Sequence, residues 1–323
     1  MSQPLPPGIR NTQFPPDMIR DHVASEYALT GPVTCEFIRR GFNDHYLIST
    51  PDAQYVFRVY FQGKYYIVSA DDFRFELELL AHVQTQGVPV AAALPTKAGE
   101  LLGHIQGPEG TRYTALFEYI EGRENATLDP NQGHRLGQIL AQFHAAADSY
   151  HTSYSRYHFD LSYLVERPMA LIRSVFHHYA REAELEPFLP ALAEAQLQIL
   201  RIPRLSPTYG IIHGDPHSGN YRLAGDRQIT LFDFDHGGYG WRAYDVAVCK
   251  GGLTDEAWQA LLRGYQEIRP LTAEEREAVP AFCTLRPIWD QGDVLAMYPV
   301  WGKSVPEPEY CDQIVALLSK LTS

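Results

Sequence analysis

The chain is 323 residues long with a formal net charge of −12, and that acidity argues against a nucleic-acid partner, because phosphates call for a basic face. Hydrophobic residues at 45% and charged residues at 20% suit a globular chain that buries a large core as one large domain or two lobes. Cys35, Cys249, Cys283 and Cys311 form no Cys-x-x-Cys pair, which argues against a structural zinc site and a disulfide scaffold; with no secretory signal and no apolar stretch of membrane-spanning length, a soluble cytoplasmic protein is expected.

The first residues, up to Pro16, read as a loosely held Pro- and Gln-rich lead-in. Over residues 17–29, Met18, Ile19, Val23 and Ala24 recur at helical spacing, and Gly31-Pro32 ends that helix. Three strands are predicted at 33–40, 46–49 and 55–60, separated by turn residues at Gly41-Phe-Asn-Asp and Thr50-Pro-Asp-Ala. A helix over 71–86 places Phe75, Leu79, Leu80 and Val83 on one face and stops at Gly87-Val-Pro. Strands at 101–105 and 113–120 flank the turn Gln106-Gly-Pro-Glu-Gly. Beyond them the pattern turns helical, at 131–147, at 161–180 with a restart after Pro168, and at 185–199. Further helices are expected at 256–267, 273–289 and 309–321, the second opening on a capping Thr272 with Glu275 three residues on.

Between these helical regions lies the stretch with the clearest chemistry. The apolar pair Ile211-Ile212 leads into His213-Gly-Asp-Pro-His-Ser-Gly-Asn220, and a second apolar run, residues 229–235, carries Asp233 and Asp235. Phosphoryl transfer needs one carboxylate that orients an acceptor hydroxyl and other oxygen ligands that hold Mg²⁺ on the phosphates. Asp215 suits the first task, and Asn220 with Asp233 suits the second.

The run His213-Gly-Asp-x-His-x-x-Asn220, then Leu231-Phe-Asp-Phe-Asp235, then Gly240 and Tyr244-Asp245-Val-Ala resembles the aminoglycoside phosphotransferase and choline kinase superfamily, which includes homoserine kinases of this type. The resemblance implies an α+β, protein-kinase-like fold of two lobes. A small, mainly β lobe would span 1–118, a larger helical lobe 119–323, and ATP would bind between them. By resemblance Asp215 is the catalytic base, Asn220 and Asp233 hold magnesium, and His213 and Asp245 support the loop; Asp235 is a candidate for a second metal or for a local hydrogen bond. The turn around Gly41 and Asn43 is similar to the family's nucleotide loop. Arg58 stands where kinases keep a phosphate-contacting lysine, and its fork can grip phosphate oxygens at two points. Glu76 is favoured over Glu78 as its partner, since residues two apart on a helix point in nearly opposite directions. The backbone of Glu118 to Ile120 matches the hinge that reads adenine. His144 reads as a packed core residue. His217, Trp289, Asp290, Asp293 and Trp301 are candidates for the acceptor side, where acids and aromatic faces suit an amine cation.

The expected activity is ATP- and Mg²⁺-dependent phosphorylation of a hydroxyl on a small metabolite: an amino alcohol, a hydroxy amino acid or an aminoglycoside-like compound. Three other readings start from the same letters. A bacterial protein Ser/Thr kinase would share the fold. A metallophosphoesterase would use His213, Asp215 and His217, but it needs an early Asp-x-His and a later Gly-Asn-His that the chain lacks. A non-catalytic nucleotide-binding module would have no use for a base and both metal ligands.

Overall fold

The computed structural model describes residues 11–319; the lead-in before residue 11 and the last two residues of the helix expected over 309–321 lie outside the described residues. The chain divides into two compact units. The first runs to Glu121 and also takes Tyr150–Arg156 and Val300–Gly302; the second holds the remainder.

In the first unit, α1 (Pro16–Glu26) opens on proline and buries Ile19 and Val23, one helical turn apart. They join Tyr46, Ile48, Phe57, Val59, Ile105 and Leu116 in one apolar cluster, and each such side chain contributes roughly 2 kcal/mol by leaving water. The strands are β1 (Thr34–Arg40), β2 (Asn43–Ser49) and β3 (Gln54–Tyr60). Next comes α2 (Ala70–Thr85), whose start is fixed by a capping box between Ser69 and Asp72. Then follow β4 (Ala93–Leu94), β5 (Gly103–Gly107) and β6 (Gly110–Glu118). The antiparallel sheet runs β1-β2-β3-β6-β4, with β5 also paired to β6. Pairing extends β2 back to Asn43 and closes the β5–β6 hairpin at Gly107↔Gly110, so both turns are tighter than their composition suggests.

The second unit is mainly helical. In chain order its first elements are α3 (Pro130–Ala147), β7 (His158–Phe159), α4 (Arg167–His178) and α5 (Leu189–Ile199). A π-helical turn, Ser162–Glu166, precedes α4, and Pro168 stands in the first turn of α4, so the chain restarts there. Four short strands follow: β8 (Tyr209–Ile212), β9 (Tyr221–Ala224), β10 (Gln228–Leu231) and β11 (Gly238–Trp241). The last elements are α6 (Arg242–Lys250), α7 (Asp255–Ile268), α8 (Ala273–Met297) and α9 (Glu309–Ser319).

Strands β9 and β10 form a hairpin, and β11 lies between β7 and β8. Helices α3 and α7 approach at backbone distance: a Cβ at Gly137 would stand 2.1 Å from Leu261 O, and one at Gly264 2.0 Å from His134 O. Helix α6 has no amphipathic period to announce it, because it is buried from Arg242 to Cys249 on every side. Helix α8 continues past the expected end at Trp289 to Met297 and carries Pro280 and Pro287 within it. No described helix is long and apolar enough to cross a membrane.

Candidate active site

The first unit sets one buried ion pair at its centre. Arg58 on β3 donates through Nη1 to Glu76 Oε1 at 2.9 Å, with the two side chains 6% and 1% exposed, and Tyr60 Oη adds a bond to Glu76 Oε2 at 3.3 Å. Glu78, two residues on, is exposed. The Arg58 guanidinium also lies 4.7 Å from the Phe117 ring centroid, so both its charge and its plane are engaged.

Gly41 and Phe42 alone make the β1–β2 turn. Asn43, expected in that turn, is instead the first residue of β2, buried, with its Oδ1 accepting from Phe61 N at 3.2 Å. The side chain holds the end of β3 because strand pairing turns it into the sheet. Trp301, one of the acceptor-side candidates, belongs to the first unit, donates from Nε1 to Gly41 O at 3.2 Å and meets the Phe42 ring edge-on. In the hinge segment the Glu118 amide is donated to Ala92 O, so a base read by that amide would have to displace a strand bond.

In the second unit, β8 delivers the chain to His213 and Gly214. Gly214 has φ +81°, and a Cβ there would stand 2.3 Å from His236 O, so both conformation and space demand glycine. The two amides at this corner converge on one carboxylate: His213 N donates to Asp245 Oδ2 at 2.7 Å and Gly214 N to Asp245 Oδ1 at 2.9 Å. Burial pushes the Asp245 carboxyl up to about 7 against the pull of those amides.

Behind Asp245 runs a chain of hydrogen bonds. His144 Nε2 lies 3.0 Å from Asp245 Oδ2, His144 Nδ1 lies 2.7 Å from Tyr265 Oη, and Arg269 Nη1 donates to Tyr265 Oη at 3.1 Å. Burial holds His144 far below its ordinary range, so its ring is neutral; one consistent assignment has Nε2–H donate to Asp245 and Nδ1 accept from tyrosine. The core histidine is therefore also a brace, a role that helical spacing alone could not reveal.

His213 is fully buried, and burial lowers its pKa to about 4. Its Nδ1 accepts from Asp215 N at 3.3 Å while Nε2 faces Phe232 O at 3.1 Å, which requires the neutral tautomer protonated at Nε2. With both nitrogens engaged it is a strut joining the loop to the end of β10. That rules it out as a metal ligand and removes the first residue of the metallophosphoesterase reading.

Asp215 is gripped from two sides. Asn220 Nδ2 donates to Asp215 O at 2.8 Å and to its Oδ2 at 3.2 Å, and His217 Nε2 lies 3.5 Å from the same Oδ2. On the other side Arg286 Nη2 donates to Asp215 Oδ1 and pairs with Asp290 Oδ1 at 2.7 Å. Arg286 Nη1 reaches Gly214 O at 3.4 Å and Tyr244 Oη at 3.2 Å. Burial works against the guanidinium charge, but Asp215, Tyr244 and Asp290 outweigh it and keep Arg286 ionised. Sequence reasoning missed this arginine. The available signal was an arginine within an apolar helical run, four residues before an aspartate.

Trp289, expected to offer an open aromatic face, is 2% exposed. Phe159, Tyr163 and His236 surround its ring, and Arg286 lies 4.6 Å from its centroid. Asp293 is buried 3.6 Å from His236, while Asp290 keeps 40% of its side chain exposed. Of the acceptor candidates, Asp290 and the half-exposed His217 are gathered at Asp215.

Oxygen atoms of the kind a hard cation takes are carried by this loop and by the segment after β10. Since the Asn220 amide spends its N–H groups on Asp215, its Oδ1 is left as acceptor. Asp233 follows β10 in the left-handed region, φ 62° and ψ 61°, a conformation that aspartate tolerates better than most side chains. One carboxylate and one amide oxygen fit magnesium, which takes few protein ligands and completes its shell with water and phosphate oxygens. Asp235 sits buried two residues on.

The family model described as the phosphotransferase enzyme family matches residues 34–278. An uncharacterized protein of Synechocystis is 35% identical over 280 residues, 85% of this chain and 76% of its own length. A homoserine kinase of Sinorhizobium medicae is 30% identical over 253 residues, 74% of this chain and 71% of that one. Among solved structures, an amicoumacin kinase in complex with AMP-PNP and Ca²⁺ aligns with a TM-score of 0.73 at 17% identity, covering 95% of this chain and 92% of that one. At that identity the likeness is one of fold, and it establishes the kinase-like α+β architecture.

Proposed function

The chain belongs to the phosphotransferase enzyme family, and from that premise we propose that it moves the γ-phosphoryl group of ATP, with Mg²⁺, onto the hydroxyl of a small amine-bearing metabolite. The acceptor would be an amino alcohol, a hydroxy amino acid or an aminoglycoside-like compound. That the enzyme is a phosphotransferase acting on hydroxyl groups follows from its family and its homoserine kinase relatives. The donor, the metal and the acceptor class are the added claims. The four cysteines are free thiols, and we assign the reaction to the cytoplasm, where thiols stay reduced and ATP is available.

The observation that carries the reading is the two-sided hold on Asp215, which fixes a carboxylate beside an amide oxygen on one short loop. In the proposed reaction Asp215 accepts a hydrogen bond from the acceptor hydroxyl and directs its oxygen at the γ-phosphorus. As the new P–O bond forms and the bond to ADP breaks, the hydroxyl proton passes to Asp215. The transition state is loose, so orientation does more than proton abstraction. Arg58, held by Glu76, would grip phosphate oxygens of the nucleotide, and the Gly41 turn would cover them. Magnesium, when bound, neutralises charge on those oxygens; Asn220 and Asp233 would hold it, with Asp235 the candidate for a second ion.

The test is ADP release with Mg-ATP against a panel of amino alcohols, hydroxy amino acids, sugars and aminoglycosides, with Asp215→Asn as the blank. Turnover that falls by about 100-fold or more in the variant while nucleotide binding persists is the expected result. Wild-type turnover in Asp215→Asn would remove the assigned role, and no release with any acceptor would turn the search to a protein substrate.

A further inference from the structure

We propose that Arg286 is a positioning residue for the catalytic carboxylate, holding Asp215 from α8 as Asn220 holds it from the loop. The inference rests on the reading of Asp215 as the residue that receives the acceptor hydroxyl. A carboxylate turns easily about its last bond, and its useful lone pairs must stay aimed at one point in space for in-line attack. Here Oδ1 accepts from Arg286 and Oδ2 from Asn220, so the plane of the group is fixed at both oxygens. Each oxygen has two lone pairs; His217 Nε2 stands 3.5 Å from Oδ2, and the second pair on Oδ1 remains for a hydroxyl.

Arg286 is itself anchored well enough to serve. Its guanidinium lies over the Trp289 ring, donates to Tyr244 Oη on α6 and to the Gly214 carbonyl, and is balanced by Asp290 one helical turn along α8. An arginine needed only as a surface ion-pair partner on this helix would be satisfied by Asp290 alone. Instead one nitrogen, Nη2, serves both carboxylates while Nη1 reaches Tyr244, which ties helices α6 and α8 to the group that does the chemistry. Two anionic oxygens on one nitrogen are also no more than about 5 Å apart. A shift of Asp290 on acceptor binding would therefore reach Asp215 through a single group.

The experiment is a double-mutant cycle in the intact chain, with kcat and both KM values measured for Arg286→Met, Arg286→Lys, Asp215→Asn and Asp215→Asn/Arg286→Met, using an acceptor identified by the panel. Arg286→Met should lower kcat by about 10- to 100-fold with the KM for ATP within about 2-fold of wild type, since nothing on the nucleotide side has been changed. Arg286→Lys should recover part of the loss, because it keeps the charge and loses the fork. Guanidinium ion added back at millimolar concentration should raise the kcat of Arg286→Met and leave wild type unchanged. In the double variant the second substitution should cost nothing further, as expected when Arg286 acts through Asp215.

A kcat for Arg286→Met within 2-fold of wild type would overturn the proposal. So would full additivity in the cycle, or a loss that tracks unfolding or failed nucleotide binding in thermal shift. Undiminished turnover in Asp215→Asn would instead bring down the underlying reading, so the two failures are distinguishable.

Discussion

Removing Glu76 should be among the most damaging single changes in the first unit. Its carboxylate is 1% exposed and pairs with an Arg58 side chain that is 6% exposed, so truncation to alanine leaves a guanidinium in a space built for an ion pair. Breaking a buried pair from one side costs about 3 to 5 kcal/mol, against a surface pair's fraction of that. The Tyr60 hydroxyl loses a partner as well. In a chain of this size that amounts to a fall of roughly 10 °C in the midpoint of thermal unfolding. Glu78→Ala, an exposed change on the same helix, is the control and should move the midpoint by about 1 °C at most. The functional arm uses Arg58→Met/Glu76→Leu, which replaces both charges by apolar volume and should regain most of the lost stability. It should not regain ATP affinity, because the phosphate fork is gone. Thermal shift with and without Mg-ATP reads both quantities. If Glu76→Ala melts with Glu78→Ala, the pair is not the buried support described above; if the apolar double variant binds ATP normally, Arg58 has no phosphate role.

Trp301→Phe keeps a ring against Phe42 and deletes the indole donor to Gly41 O, so the KM for ATP should rise about 3- to 10-fold with kcat little changed. An unchanged KM would show that this bond does not set the turn. Acid should act through His213, whose folded-state pKa of about 4 lies below its ordinary 6.5: the unfolded chain takes up a proton that the native ring refuses, and stability is lost as pH falls from about 6.5 to about 4. The stability difference between wild type and His213→Gln should shrink by about 3 kcal/mol across that window in urea titrations, and a constant difference would refute it. Only that difference is diagnostic. Asp245, raised to about 7, works in the opposite sense, contributing most below its ordinary range and losing that contribution as pH rises through 7. Gly214→Ala should fail to accumulate as folded protein, since its Cβ would meet His236 O at 2.3 Å; a soluble, active variant would contradict the corner geometry.

Elements whose burial is one-sided were legible in the sequence. Ile19 and Val23 on α1, and the face from Phe75 to Val83 on α2, follow the helical period because only one side of each helix meets the core. Helix α6 was not legible for the opposite reason, and neither was the continuation of α8 past Trp289, where Gly292 weakens a pattern already interrupted by Pro280 and Pro287, while Pro168 packs against that glycine. Turn composition also misled at Asn43. Glycine and asparagine flanking one residue are ordinary turn chemistry, but the register Asn43↔Tyr60 draws Asn43 into the sheet, and no local rule contains the position of a third strand.

The candidate site divides along the same line. Asp215, Asn220 and Asp233 sit in one short stretch where spacing reflects chemistry, so a single sequence exposes them. What holds them does not obey spacing. Asp245 comes from 30 residues beyond Asp215, His144 from 101 residues before Asp245, and Arg286 from 71 residues past the carboxylate it grips. The requirement they satisfy is geometric: each supplies a donor or acceptor to a group already fixed by the loop, and any helix passing at the right distance could do so. For that reason an arginine on α8 carries no mark in the sequence beyond its unlikely place among Leu285, Ile288 and Trp289. A buried cation flanked by apolar neighbours needs a carboxylate, and Asp290 at the next turn supplies one. What separates a site arginine from a structural one is the second carboxylate on the same nitrogen, and only the fold brings Asp215 there.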